Sequence, residues 1–144
     1  MKISTRGRYG VRLLIDLAEH MDQSHLPLVQ VAERLNVSSR YLEQVAVILK
    51  RAGYVRSIKG ASGGYALARN PADIIVGDVL RVLEGDMFVV DPPRPGEEEN
   101  LLQRCIRTAV YTCLNERISS VIDSLSIASM VGTSDIDDVP MYYI

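Results

Sequence analysis

The sequence predicts a mostly α-helical protein with one small β-hairpin, on three observations. Apolar residues recur at spacings of three and four through most of the chain. One glycine-rich turn between two short β-prone runs interrupts that pattern, and the stretch from Leu101 to about Leu125 holds neither Pro nor Gly.

The first helix spans Thr5 to His20, where Tyr9, Val11, Leu13, Leu14, Leu17 and Ala18 share one face. Lys2, Arg6, Arg8 and Arg12 lie at its start and along the opposite side, within reach of a phosphate backbone if a neighbouring element enters a groove. After a polar turn containing Pro27, Leu28, Val31, Ala32 and Leu35 mark a second, short helix. The turn Asn36-Val37-Ser38 follows, and Ser38 or Ser39 suits the N-cap of a third helix, from about Arg40 to Ala52, that stops at Gly53. Two helices joined by three or four residues make a helix-turn-helix pattern.

Tyr54 to Ile58 and Tyr65 to Ala68 have strand composition, and Lys59-Gly60-Ala61-Ser62-Gly63-Gly64 is a basic turn between them. This is a hairpin wing. Its glycines permit positive φ and close backbone approach, so Gly60, Gly63 and Gly64 can bring the tip against a phosphate or into a minor groove, led by Arg56 or Lys59. A nucleotide-cradling P-loop needs Gly-Lys-Ser/Thr opening a helix, whereas a strand follows here.

Asn70-Pro71 opens a new section, with a short helix from Val76 to Leu83 ended by Glu84-Gly85. Residues 91–100 combine three Pro, one Gly and an acidic run, which reads as an exposed loop. Beyond it, Leu102, Ile106, Ala109, Val110, Leu114, Ile118, Val121, Ile122 and Leu125 form one apolar stripe. Such a helix would be roughly 40 Å long, more than so small a unit needs internally. It either dimerises or packs along its own domain, and the two-fold symmetry of DNA operators favours the dimer. Ser126 caps a last short helix through Val131. The fold class is thus mostly α with a small β-wing, a winged helix-turn-helix plus a long dimerisation helix. Residues 1–70 form the DNA-binding domain, 71–100 a short helix and acidic Pro-rich loop, 101–131 the long and short helices, and 132–144 an acidic tail.

Composition narrows the function. The 144 residues suit about one domain, and 47% hydrophobic with 24% charged residues is globular. No apolar run reaches the roughly 18 residues of a membrane span, and the N-terminus lacks signal-peptide features, which points to the cytoplasm. The net charge of −2 hides an asymmetry. Residues 1–69 carry 11 Lys and Arg against 5 Asp and Glu, whereas residues 70–144 carry 5 against 13. A basic half suits a polyanion, since each neutralised phosphate releases counterions. No nucleophile with a base, no placed carboxylate pair and no metal ligand set points to an enzyme.

Taken together, Met1 to Gly10, Tyr41-Leu42-Glu43-Gln44, Gly53-Tyr54-Val55 and Lys59 to Tyr65 resemble the signatures of the Rrf-type winged-helix regulators over nearly the whole chain. The start Met1-Lys2-Ile3-Ser4-Thr5, the segment Gly77 to Gly85 and the end Met141-Tyr142-Tyr143-Ile144 are most similar to the branch that represses cysteine metabolism. The resemblance implies a homodimer on a pseudo-palindromic operator, with Ser39, Arg40, Tyr41, Glu43 and Gln44 opening the recognition helix. There Glu43 could accept from a cytosine amino group, and Arg40 could reach guanine or phosphate. Tyr41 divides between base contact and core packing; Leu42 belongs to the core.

The iron-sulfur branch of this family holds its cluster with three cysteines and a histidine. Here Cys105 stands about where the third cysteine belongs, the loop from Met87 to Asn100 has no cysteine, and Thr108 replaces the histidine. The resemblance therefore implies a regulator with no metal cofactor, because one ligand does not hold a cluster. Cys105 and Cys113, roughly 12 Å apart along one helix, cannot pair within it. Each could pair across a dimer or act as a redox-sensing thiol, but a small buried hydrophobe is the commoner role. The tail, with Asp135, Asp137 and Asp138 before Tyr142, Tyr143 and Ile144, resembles an end captured as a peptide by its carboxylate. The cysteine branch implies cysteine synthase (O-acetylserine thiol-lyase) as its partner.

Overall fold

The computed structural model describes residues 1–133; Tyr142, Tyr143 and Ile144 lie outside them. Helix α1 covers Thr5–Glu19 and begins where the Ser4 hydroxyl accepts the Gly7 amide. Helices α2 (Leu28–Leu35) and α3 (Ser39–Arg51) flank a tight turn. Asn36 makes that turn with a left-handed φ of 53°, and the Val37 amide reaches back to the Ala32 carbonyl at 3.0 Å. Ser38, rather than Ser39, is the N-cap of α3; its hydroxyl accepts the Tyr41 amide.

Strands β1 (Val55–Ile58) and β2 (Gly64–Leu67) pair antiparallel, with Ser57 opposite Tyr65 and Ile58 opposite Gly64. Leu26 adds a single bridge to Tyr65 through two backbone bonds of 2.9 Å, which ties the wing to the α1–α2 connection. A short 3-10 turn at Pro71–Asp73 leads to α4 (Val76–Glu84).

These elements enclose one core. Leu13, Leu14, Val31, Leu42, Ala46, Leu49, Val79 and Ile127 have no measurable exposure. They come from α1, α2, α3, α4 and the last helix, and each large side chain among them contributes about 2 kcal/mol by leaving water. Asp16 is the one buried charged residue among the described ones, and Arg34 of α2 meets it with two bonds of 2.8 and 2.7 Å. That pairing joins α1 to α2 and lifts the Arg34 guanidinium further above its usual range.

The long helix differs from the expected straight rod. It consists of α5 (Leu101–Ile106), a π-helical segment (Arg107–Thr112) and α6 (Cys113–Asp123). Its start is a capping box, with Asn100 and Gln103 exchanging backbone-to-side-chain bonds. Its end is held to the rest of the fold. Arg81 of α4 takes Asp123 in two bonds of 2.7 and 2.9 Å, and Val76 donates to the Leu125 carbonyl. Gly77 allows this approach, since a side chain there would meet the Asp123 carboxylate. The last helix, α7 (Ile127–Met130), is capped by Ser126 and buries Ile127 in the core.

No residue of α5, the π-helical segment or α6 is buried. Of the predicted apolar stripe, Leu102, Ile106, Val110, Leu114 and Val121 stand exposed. Cys105 and Cys113 are exposed as well, which corrects the expectation of buried small hydrophobes within this chain: the helix that carries them leaves the core instead of lying on it.

Candidate nucleic-acid interface

Helix α3 presents two faces with different chemistry. Leu42, Val45, Ala46 and Leu49 point into the core, and Arg40, Glu43 and Gln44 are exposed on the other side, three and four residues apart, so they share one surface. Ser39 is exposed at the first turn. Val47, also exposed, continues that surface one turn on, and an apolar side chain there fits a thymine methyl. Its signal in the sequence is weak, because an apolar residue in a helix reads first as core. Tyr41 is half-buried and meets Tyr9 edge to face, with ring centroids 6.1 Å apart. Arg12 stacks on Tyr9 at 5.3 Å. This places Tyr9 and Arg12 of α1 beside the start of α3. Lys2, Arg6 and Arg8 are exposed, and Arg8 leans on the Thr5 hydroxyl.

In the wing, Arg56 and Lys59 are exposed. The glycines divide. Gly60 has a φ of 117° and open space around it, so the tip turn needs its left-handed conformation. Gly63 and Gly64 make no use of the positive φ that glycine permits; side chains there would strike the Ile58 and Leu26 carbonyls respectively. Their absence of side chain is thus explained by packing within the wing. Lys50 donates to the Ser57 hydroxyl at 2.6 Å and so links the end of α3 to β1. Arg69 caps the end of α3 by donating to the Ala52 and Gly53 carbonyls, and lies over the Tyr54 ring at 4.7 Å. Burial, followed by the nearby Glu43 carboxylate, pushes the Tyr65 hydroxyl above its usual pKa.

An exposed polar helix face joined to a basic hairpin is the arrangement of a groove reader. The chain matches the Rrf2 family, described as an iron-dependent transcriptional regulator, over residues 3–133. It belongs to that family. The chain is 36% identical to the HTH-type transcriptional regulator CymR of Bacillus subtilis over the full length of both proteins. It is 33% identical to the regulator IscR of Yersinia enterocolitica, across 96% of this chain and 84% of that one. Among solved structures, CymR of B. subtilis superposes with a TM-score of 0.78 at 36% identity, covering 95% of this chain and 99% of that one. T. potens IscR does so with 0.74 at 37%, covering 99% and 97%. The protein is therefore a DNA-binding transcription regulator with a winged-helix fold. Among the described residues no helix is long and apolar enough to cross a membrane.

Among the described residues, the donor set does not fit an iron centre. The acidic loop folds back over the π-helical segment: Glu99 accepts from the Arg107 guanidinium at 2.8 and 2.9 Å, and Asn115 bonds the Val89 amide and the Val90 carbonyl. In a straight α-helix Arg107 and Asn115 would sit about 80° apart around the axis. A π turn takes up an extra residue and brings them toward one side, so both reach the same loop. The cleft beneath has a volume of about 750 Å3 and is lined by Pro, Glu, Arg107 and Tyr111 with no cysteine. Among the described residues no three His, Cys, Asp or Glu side chains converge on a point where a metal ion would sit.

Proposed function

We propose that this regulator is a homodimeric, cytoplasmic repressor of cysteine and sulfur-metabolism genes that reads a pseudo-palindromic operator and works without a metal cluster of its own. The observation that carries it is the exposure of Arg40, Glu43 and Gln44 on the outward side of α3 together with that of Arg56 and Lys59 on a wing tied to the end of α3 by Lys50 and Ser57. In this reading Ser39, Arg40, Tyr41, Glu43 and Gln44 face base edges, and Lys2, Arg6, Arg8, Lys59 and the Gly60 turn meet phosphates. The exposed stripe on the long helix supports the dimer, since Leu102, Ile106, Val110 and Leu114 stay in water in one chain. Full-length similarity to CymR, whose solved structure is described as the global cysteine regulator of B. subtilis, supports the regulon. The misfit of the donor set supports a cluster-free protein.

Gel shift on the gene's own upstream region tests this reading. Lys59→Glu should weaken binding to every duplex and flatten the salt dependence by roughly one phosphate contact, whereas Glu43→Ala should relax discrimination among operator variants. Equal losses on specific and random DNA from both substitutions would refute the division of roles. Colourless protein after anaerobic purification is the expected spectrum; visible absorption from a bound cluster would overturn the cluster-free reading.

The exposure of Cys105 and Cys113 favours a second reading, in which a thiol tunes the same regulator. Operator binding that is identical in oxidised and reduced protein would remove it. For the tail, we propose that Tyr142, Tyr143 and Ile144 engage cysteine synthase. A synthetic peptide of residues 135–144 should bind that enzyme and be displaced by O-acetylserine.

A further inference from the structure

We infer that His25 is the positioning residue of the wing, holding the tip turn that carries Lys59 while touching no DNA itself. The inference rests on the reading of the wing as a DNA contact.

Residues 24–26 connect α1 to α2 and run alongside the hairpin. They hold it at two heights. At the base, Leu26 and Tyr65 exchange two backbone bonds of 2.9 Å, and the bare backbone of Gly64 lets the Leu26 carbonyl come close. At the tip, the His25 ring meets the Ser62 carbonyl through Nε2. A carbonyl only accepts, so Nε2 carries the hydrogen and donates. The other ring nitrogen, Nδ1, faces the Ser24 hydroxyl at 2.9 Å, which fixes the rotation of the imidazole. His25 thus reaches 37 residues along the chain to a backbone atom of the tip turn.

The tip has little else to fix it. Lys59, Gly60, Ala61 and Ser62 are exposed, Gly60 is surrounded by open space, and the turn is closed by one backbone bond, from the Gly63 amide to the Gly60 carbonyl. An isolated two-stranded hairpin is marginal in water, and this one has four residue pairs. A second anchor near the tip therefore restricts how far Lys59 swings, and a restrained side chain loses less freedom when it meets a phosphate. The α1–α2 connection, which contains no predicted DNA contact, enters the binding free energy by this route.

The test compares His25→Ala, His25→Gln and Lys59→Ala in the full chain, on the upstream duplex and on random DNA. Glutamine places an amide donor near the position of Nε2, so it should restore what alanine removes. His25→Ala should lower operator affinity about fivefold, the scale of one hydrogen bond, with a melting temperature within a few degrees of the parent. Hydroxyl-radical protection where the wing lies should fade, and protection of guanine N7 by α3 should persist. If Lys59→Ala weakens binding and His25→Ala does not, the inference falls and the wing reading stands. If Lys59→Ala has no effect, the wing reading falls and takes the inference with it. Loss of both footprints together, or no rescue by glutamine, would also overturn it.

Discussion

The two halves of the molecule solve the same physical problem differently. In the first, α1 to α4 with α7 pack Leu13, Leu14, Leu42, Leu49 and Val79 out of water within a single chain. In the second, the helix from Leu101 to Asp123 carries an equally regular apolar pattern and leaves most of it in water: Leu102, Ile106, Val110, Leu114 and Val121 are exposed, and near its end Ile122 packs half-buried against the core. Its attachments lie at its edges: Arg81 to Asp123 at one end, and Arg107 and Asn115 to the acidic loop further along. A periodic apolar face is a demand for a partner surface, and the first half supplies its own. Among the described residues, the second half meets no such surface at Leu102, Ile106, Val110, Leu114 and Val121.

The largest effect that would break this comparison is a cavity in the first half. Leu13→Ala, at a site with no measurable exposure, should cost about 3 kcal/mol of unfolding free energy. Chemical denaturation would show it as a lowered midpoint with an unchanged slope. A tolerant Leu13 would mean that the first half does not carry its own stability. The counterpart on the long helix is the pair Val110→Asp and Leu114→Asp. Both positions are exposed in the single chain, so helical content and the fold of the first half should survive. Sedimentation should instead show monomers, and operator affinity should fall by about a hundredfold as two linked half-site contacts become independent. Unchanged mass in solution would mean that some other surface joins the chains.

Much of the first half was legible because its constraints are local. Helical spacing separated Leu42 and Val45 from Arg40, Glu43 and Gln44, and the Ser-rich turn announced a cap within one residue of the observed Ser38. The candidate surface follows, since the outward side of α3 is whatever the core does not take. What escaped has its cause far away in the chain. Asp16 interrupts an apolar face and gains its reason from Arg34, on another helix. Gly63 and Gly64 looked like positions left free for positive φ or for close approach to DNA, yet they are small because two carbonyls of this chain pass close by, which no neighbour in sequence announces. The π-helical segment escaped because apolar spacing reports which side a residue faces and not which carbonyl its amide chooses. Tyr9 was legible as part of an apolar face, but its contact with Tyr41 joins two helices and needed the fold.

A smaller effect concerns the seam between the halves. Asp123 is held below its usual pKa chiefly by its hydrogen bonds from Arg81, so the folded state favours the ionised carboxylate more than the unfolded state does. The sign follows from linkage. This contact stabilises the fold at pH values above the ordinary carboxylate range and is lost as pH falls through the depressed value. Both side chains are partly exposed, so salt screens them and the change in global stability should be slight. A local probe is the better measurement. The Val76 amide, which donates to the Leu125 carbonyl two residues beyond Asp123, should exchange faster with solvent, relative to a control amide in the core, once the pH drops below the usual carboxylate value. Asp123→Asn should remove that acid response and raise exchange at neutral pH. If the amide stays equally protected in the variant, the seam is held by the backbone bonds at residues 74–76 and 125–127, and the two halves are joined through main chain instead of charge.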